Sequence, residues 1–288
     1  MDHLVISILI SSCLFVIFKL FNVFKIDTLQ AITVNYFVAF LFGFLSSDLS
    51  LEVSKIPHQP WFLGAISLSV IFIIVFNLMA VTAQKNGLSV ASVANKMSVI
   101  IPVIFGVIVY NEAVGFLKVI GIILALVAVY LSASKSDSEP LKRKNLIFPL
   151  LLFIGSGVLD TTLKYIETRL VPNGGVPIFS ATIFIFASLL GCILLIIQAC
   201  QGKFKFQFKN ILGGIALGIP NYYSIEFLLK ALKTEGFESS TVFTINNVSV
   251  VILTTLFGLL FFKEKLIKKN WAGIGIAIVS ILLVVLYG

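Results

Sequence analysis

An all-α polytopic membrane protein, with ten transmembrane helices arranged as two inverted five-helix repeats, is the fold this chain predicts, on three observations. Apolar residues make up 59% of 288 and charged residues only 12%, a balance foreign to soluble domains. The apolar residues fall into runs of roughly 18 to 25, the length at which a helix rising 1.5 Å per residue crosses a hydrocarbon core about 30 Å thick. The third observation is internal: Asn95-Lys96 in one apolar run is answered 152 residues later by Asn247, beside Asn246, in another.

Ten spans are read in order: Leu4 to Phe21, Leu29 to Leu45, Trp61 to Ala83, Leu88 to Val109, Val114 to Ser132, Leu146 to Thr168, Val176 to Ala199, Ile211 to Leu232, Ser239 to Phe262 and Ile267 to Tyr287. Asp2 and His3 precede the first, which lacks a basic n-region and a small-residue cleavage site and so reads as a retained helix. The remainder leaves no room for a soluble domain, and an enzyme working in water is not expected.

Motif chemistry is sparse. Cys13, Cys192 and Cys200 lie in or at the ends of apolar runs without metal-type spacing and read as small core residues. His3 and His58 fall outside the spans. There is no phosphate loop, zinc motif or catalytic triad pattern, so neither a cofactor nor a metal is expected. The net charge of +8 does not point to nucleic acid, because the cations flank the spans, where topology accounts for them.

The repeat supplies the domain organisation. At a gap-free offset of 152, Asn95 falls on Asn247, Phe105 on Phe257, Gly106 on Gly258, Glu112 on Glu264, Gly121 on Gly273 and Ala125 on Ala277. At 149, Gly64 falls on Gly213, Asn77 on Glu226 and Gly87 on Gly236; at 145, Ser11 falls on Ser156 and Lys19 on Lys164. A duplicated five-helix unit accounts for this, with repeats at 1–134 and 146–288 joined by a basic linker at 135–145. Five is odd, so the second copy enters the membrane from the opposite side, the plan of inverted-repeat secondary transporters. Small residues four apart in the fifth and tenth spans, Gly121 with Ala125 and Gly273 with Ala277, mark packing faces where helix backbones approach closely.

The double unit, the segment from Asn95 through Pro102, Gly106 and Glu112 to Gly121, and its echo from Asn247 through Gly258 and Glu264 to Gly273 resemble the EamA-type members of the drug/metabolite transporter superfamily. The resemblance covers nearly the whole chain and is most specific in the last two spans of each half. It implies ten helices around a central cavity and transport of a small metabolite or drug-like solute. It names no substrate. Thr254 stands where Pro102 stands in the first copy and Asn247-Val248 replaces Asn95-Lys96, so the implied site is asymmetric.

Polar residues inside the spans are the candidate substrate-binding positions. Lys96 lies eight residues into the fourth span, about 12 Å deep by the helical rise. A cation at such depth costs about 2.5 to 3.5 kcal/mol on insertion scales and calls for a cavity or a partner. It binds an anionic group of a solute, exchanges a proton with a carboxylate, or forms a structural ion pair. Asp160, Lys164 and Glu167 share one face of the sixth span with Ser156, where Lys164 either neutralises Asp160 or leaves it to function. Glu226, matched to Asn77, follows Pro220, Asn221, Tyr222 and Tyr223 after Gly213, Gly214 and Gly218, so the eighth span is expected to kink or unwind near its middle. Glu226 then borders a site or pairs with Lys230. Tyr222 is a packing residue or a ligand. Asn77, Asn95, Asn246 and Asn247 either bond helices together or face a shared site across the pseudo-symmetry axis; Asn35 carries less weight, having no match in the seventh span.

Fourteen Lys and Arg fall in or beside the loops after the odd-numbered spans against six on the other side. The positive-inside rule then places the central loop in the cytoplasm and both termini outside, whereas members of the resembled family are often drawn with both termini inside. The expected partners are the lipid bilayer and a small-molecule substrate, not nucleic acid, with the chain a monomer or homodimer in a bacterial inner membrane. A secondary transporter working by alternating access, coupled to protons, exchanging or uniporting, leads an intramembrane lipid-modifying enzyme and a non-transporting scaffold.

Overall fold

The computed structural model describes residues 2–46, 53–110, 116–134, 143–172, 174–232 and 239–286. Asn111-Glu112, Gly236 and positions 135–142 of the basic linker lie outside the described residues. Among the described residues the regular elements are α1 (Asp2–Val23), α2 (Thr28–Leu45), a 3-10 segment (Val53–His58), α3 (Phe62–Lys85), α4 (Leu88–Met97), α5 (Ile100–Tyr110), α6 (Phe116–Ser132), α7 (Arg143–Leu170), α8 (Val176–Cys200), α9 (Phe208–Leu232), α10 (Ser239–Phe262) and α11 (Lys268–Leu286). Long apolar runs take this form because a backbone removed from water must satisfy its N–H and C=O groups within the segment. Among the described residues seven stretches are long and apolar enough to cross a membrane, Leu88–Phe105 one of them.

Two expectations about helix continuity are corrected. The fourth span is interrupted: α4 ends at Met97, Ser98 and Val99 form a turn, and α5 follows. Pro102 is the cause, since it has no N–H for the Ser98 carbonyl and its ring crowds that oxygen. Ser98 N–H turns back to the Asn95 carbonyl at 3.3 Å and Ile101 N–H to that of Ser98 at 2.9 Å. The eighth span, expected to kink or unwind near its middle, does not unwind: α9 runs on through Pro220. Thr254, standing where Pro102 stands, likewise leaves α10 unbroken.

The chain folds into two compact units, each drawing on both sequence halves. Unit 1 comprises Met1–Leu20, Leu78–Val158 and Tyr223–Gly288. Its closest helix pair is α6 with α11, which run antiparallel: Ser280 Oγ donates to the Gly121 carbonyl at 2.7 Å, and Asn270 Nδ2 to those of Ser132 at 2.7 Å and Ser134 at 2.8 Å. Ala125, Ala128 and Ala277 are fully buried in the core these helices share with Val93, Met97 and Val251. Buried Asn270 also accepts from Ile267 N–H at 3.0 Å, capping the start of its own helix while satisfying the end of its neighbour. Asn270→Leu, leaving those carbonyls and that N–H unpaired, is expected to cost about 2 kcal/mol or more. The check is the thermal midpoint of the purified protein; an unchanged midpoint refutes the cap.

Unit 2 comprises Phe21–Asn77 and Leu159–Tyr222. α2 and α8 run antiparallel, with Ser188 Oγ donating to the Thr33 carbonyl at 3.2 Å and Gly43 seated against Ala181. α9 lies parallel to α2: Asn210 Nδ2 donates to Gln30 Oε1 at 2.8 Å near one end, and the Tyr222 ring stacks on Phe42 at 5.7 Å near the other. Between them a Cβ at Gly218 would stand 2.9 Å from the Asn35 carbonyl. The glycines that raised the expectation of unwinding instead let α9 approach α2.

The cysteines are also corrected: Cys13, Cys192 and Cys200 are exposed. Lipid tails are as apolar as a protein core, so hydrophobicity does not sort small apolar residues inward in a membrane helix.

Candidate polar site on α4 and α10

The break after Met97 changes the setting of the candidate residues. Asn95 and Lys96 occupy the last turn of a ten-residue helix rather than the middle of a long one. The C-terminal end of a helix carries partial negative charge and favours a cation by about 0.3 to 1 kcal/mol. Lys96 is half-buried, so α4 itself supplies part of the compensation that its depth demands.

Asn95 Nδ2 donates to Ser156 Oγ at 3.0 Å, tying α4 to α7 through a hydroxyl that is itself buried. Ser98 Oγ donates to the Asn95 carbonyl, closing the broken end. α10 packs on α4, with Thr254 Oγ1 lying 2.7 Å from Ser92 Oγ and Val251 sharing a core with Val93 and Met97. Asn246 and Asn247 are buried on α10, and Asn246 Oδ1 has no hydrogen-bond partner among the described residues. Four of the candidate residues, Asn95, Lys96, Asn246 and Asn247, thus fall on two helices in contact within unit 1.

The others are distributed differently. Glu226, also in unit 1, pairs with Lys230 at 2.6 Å along one turn of α9, with Lys230 well exposed and lying over the Phe227 ring. In unit 2, Asn77 Nδ2 donates to the Ile73 carbonyl at 2.8 Å, within its own helix. Tyr222 stacks on Phe42. The polar face expected on the sixth span is not uniform: Ser156 is buried, Asp160 and Lys164 are exposed and Glu167 is half-buried. Among the described residues no three His, Cys, Asp or Glu gather in a way that fits a metal.

Sequence reasoning gives too little weight to Asn35. It is fully buried on α2, and among the described residues neither amide atom has a hydrogen-bond partner, a costly state for a polar group away from water. Its signal in the sequence is an amide inside an apolar run, discounted for want of a polar match in the seventh span. Lys19 and Glu264 enter the sequence reading as repeat matches and not as partners of each other. Their ammonium and carboxylate groups meet at 3.2 Å.

A protein of Haemophilus influenzae, described only as uncharacterized, is 28% identical over 283 residues, covering 95% of this chain and 94% of its own. A solved crystal structure superposes with a TM-score of 0.55 at 13% identity, covering 98% of each chain, and so shares the fold. The EamA-like transporter family matches residues 3–134 and again residues 145–286. With both halves matched and its long apolar helices in place, this multi-pass integral membrane protein belongs to the EamA-like transporter family.

Proposed function

We propose that the chain is a secondary transporter that moves a small metabolite or drug-like solute by alternating access, built as ten spans in two inverted five-helix halves. One observation carries this reading: helices that correspond in the repeat pack against each other in opposite directions, α6 with α11 and α2 with α8. Antiparallel pairing of equivalent helices is what an axis in the membrane plane produces, and rocking of inverted halves is how such folds alternate. Family membership and the polar α4–α10 pair support solute handling, with Lys96 recognising an anionic group and Asn95, Asn246 and Asn247 supplying hydrogen bonds. Asp160, Glu226, Asn77 and Tyr222 are secondary positions in this reading.

Metabolite profiles of cells with and without the gene, followed by uptake of the altered compound into proteoliposomes, test it. No compound whose movement depends on the protein would reject transport.

The orientation belongs to the same proposal. With the cation-rich side in the cytoplasm, Cys200, at the end of α8 and exposed, lies on that side. In a protein with Cys13 and Cys192 replaced by Ser, Cys200 is expected to resist an impermeant maleimide added to intact cells and to react in inverted vesicles. The reverse pattern places both termini inside.

A further inference from the structure

We propose that α4 is a hinged gate, held shut at its N-terminal end by Glu264 and Lys19 and free to swing at the Ser98–Val99 turn. The proposal rests on the transport reading for its purpose and on the following geometry for its existence. α3 gives way to α4 through Gly87 at φ 109°, a left-handed conformation suited to glycine. Glycine at the cap has no side chain to satisfy the first N–H groups of α4. Glu264 does so from elsewhere in the chain: Leu88 N–H donates to its two carboxylate oxygens at 3.0 and 3.2 Å.

The carboxylate is built into this position. Glu264 N–H returns to the Gly258 carbonyl at 2.9 Å past Lys263, itself left-handed at φ 49°, which fixes the chain leaving α10. A Cβ on Gly87 would stand 2.9 Å, and one on Gly258 2.6 Å, from Glu264 Oε2, so both glycines clear its space. Lys19 Nζ sits 3.2 Å from Glu264 Oε1 and donates to the Ala83 carbonyl at 3.1 Å, joining α1 and the end of α3 to the same point. Both side chains are largely buried, at 18% and 12% exposure. A charged acceptor at a helix N-terminus, paired with a buried cation, is a strong local contact.

The other end of α4 is held by neutral hydrogen bonds, Asn95 to Ser156 and Ser98 to Asn95, and has no charged clasp among those contacts. The Ser98–Val99 turn severs the regular hydrogen-bond ladder, and Val103 N–H reaches the Val99 carbonyl only at 3.4 Å. A short rigid helix clasped at one end and hinged at the other moves as a unit when the clasp opens. It would carry Asn95 and Lys96 with it.

Hydrogen–deuterium exchange of the purified full-length protein, read by mass spectrometry, tests the gate without any substrate. Lys19→Met and Glu264→Gln are each expected to speed exchange over residues 88–97 by about tenfold, leaving 116–132 and 268–286 unchanged. Adding Pro102→Ala, which repairs the hinge, is expected to spread the Glu264→Gln acceleration into residues 100–105. Unchanged exchange, or acceleration shared equally by α4, α6 and α11, would make the pair a general brace and overturn the gate. Acceleration still confined to 88–97 after Pro102→Ala would remove the hinge. Because exchange needs no solute, failure here leaves the transport reading standing, and failure to find a solute leaves the clasp standing.

Discussion

Lys96→Met is expected to reduce transport by about 30-fold or more while the protein inserts and folds normally. The magnitude corresponds to about 2 kcal/mol, the lower end of what truncating one partner of a desolvated charge pair costs. Lys96 is half-buried in the last turn of α4, where the helix end favours its charge and where, in the transport reading, it meets an anionic group of the solute or a protein carboxylate. Methionine keeps the length and apolar stem and removes only the charge. Lys164→Met is the matched control, because Lys164 is exposed on α7 and its loss is expected to cost about threefold or less. Transport by both variants at equal membrane abundance decides the matter. Near-normal transport by Lys96→Met would make this lysine structural and remove the anion site.

Gly273→Ala should be among the most damaging single-methyl changes in the protein, and Gly275→Ala, two residues on in α11, should be harmless. A Cβ at Gly273 would lie 2.6 Å from the Ser132 amide nitrogen and 3.0 Å from the Ala128 carbonyl oxygen. Both are backbone atoms of α6 and cannot turn aside, so the two helices must separate. Overpacking of this kind costs about 1 to 3 kcal/mol, and here it also lengthens the Ser280–Gly121 and Asn270–Ser132 hydrogen bonds. At Gly275 nothing among the described residues lies within 4 Å, and alanine in its place is expected to be neutral or to stabilise by up to about 1 kcal/mol. Thermal unfolding of the two purified variants measures the contrast. Equal midpoints would mean that α6 and α11 do not pack through this glycine.

Much of the fold is legible because composition and periodicity act locally. Runs of apolar residues long enough to cross a membrane leave the backbone one economical form, so Asp2–Val23 or Val176–Cys200 is helical on sequence alone. The pairing of the fifth span with the tenth is half legible: Gly121, Ala125, Gly273 and Ala277 announce close packing, and the structure puts Ala125 and Ala277 in one core, Gly121 at Ser280 and Gly273 at Ala128 and Ser132. The proline in the fourth span is visible too, yet its effect is not, because breaking depends on what surrounds the freed carbonyl. Pro102 interrupts its helix and Pro220 does not.

The sequence by itself determined that this is a helical membrane protein with a repeated plan and polar residues at Asn95, Lys96, Asn246 and Asn247, since length, hydropathy and self-similarity need no knowledge of neighbours. Only the tertiary structure decided which of those residues share a place. Asn95 finds Ser156, 61 residues away, and Asn77 turns back on its own helix. Glu264 reaches 176 residues back to cap α4. Hydrogen bonds and backbone approach operate over about 3 Å, and no spacing within one span fixes which atom of another span stands at that distance.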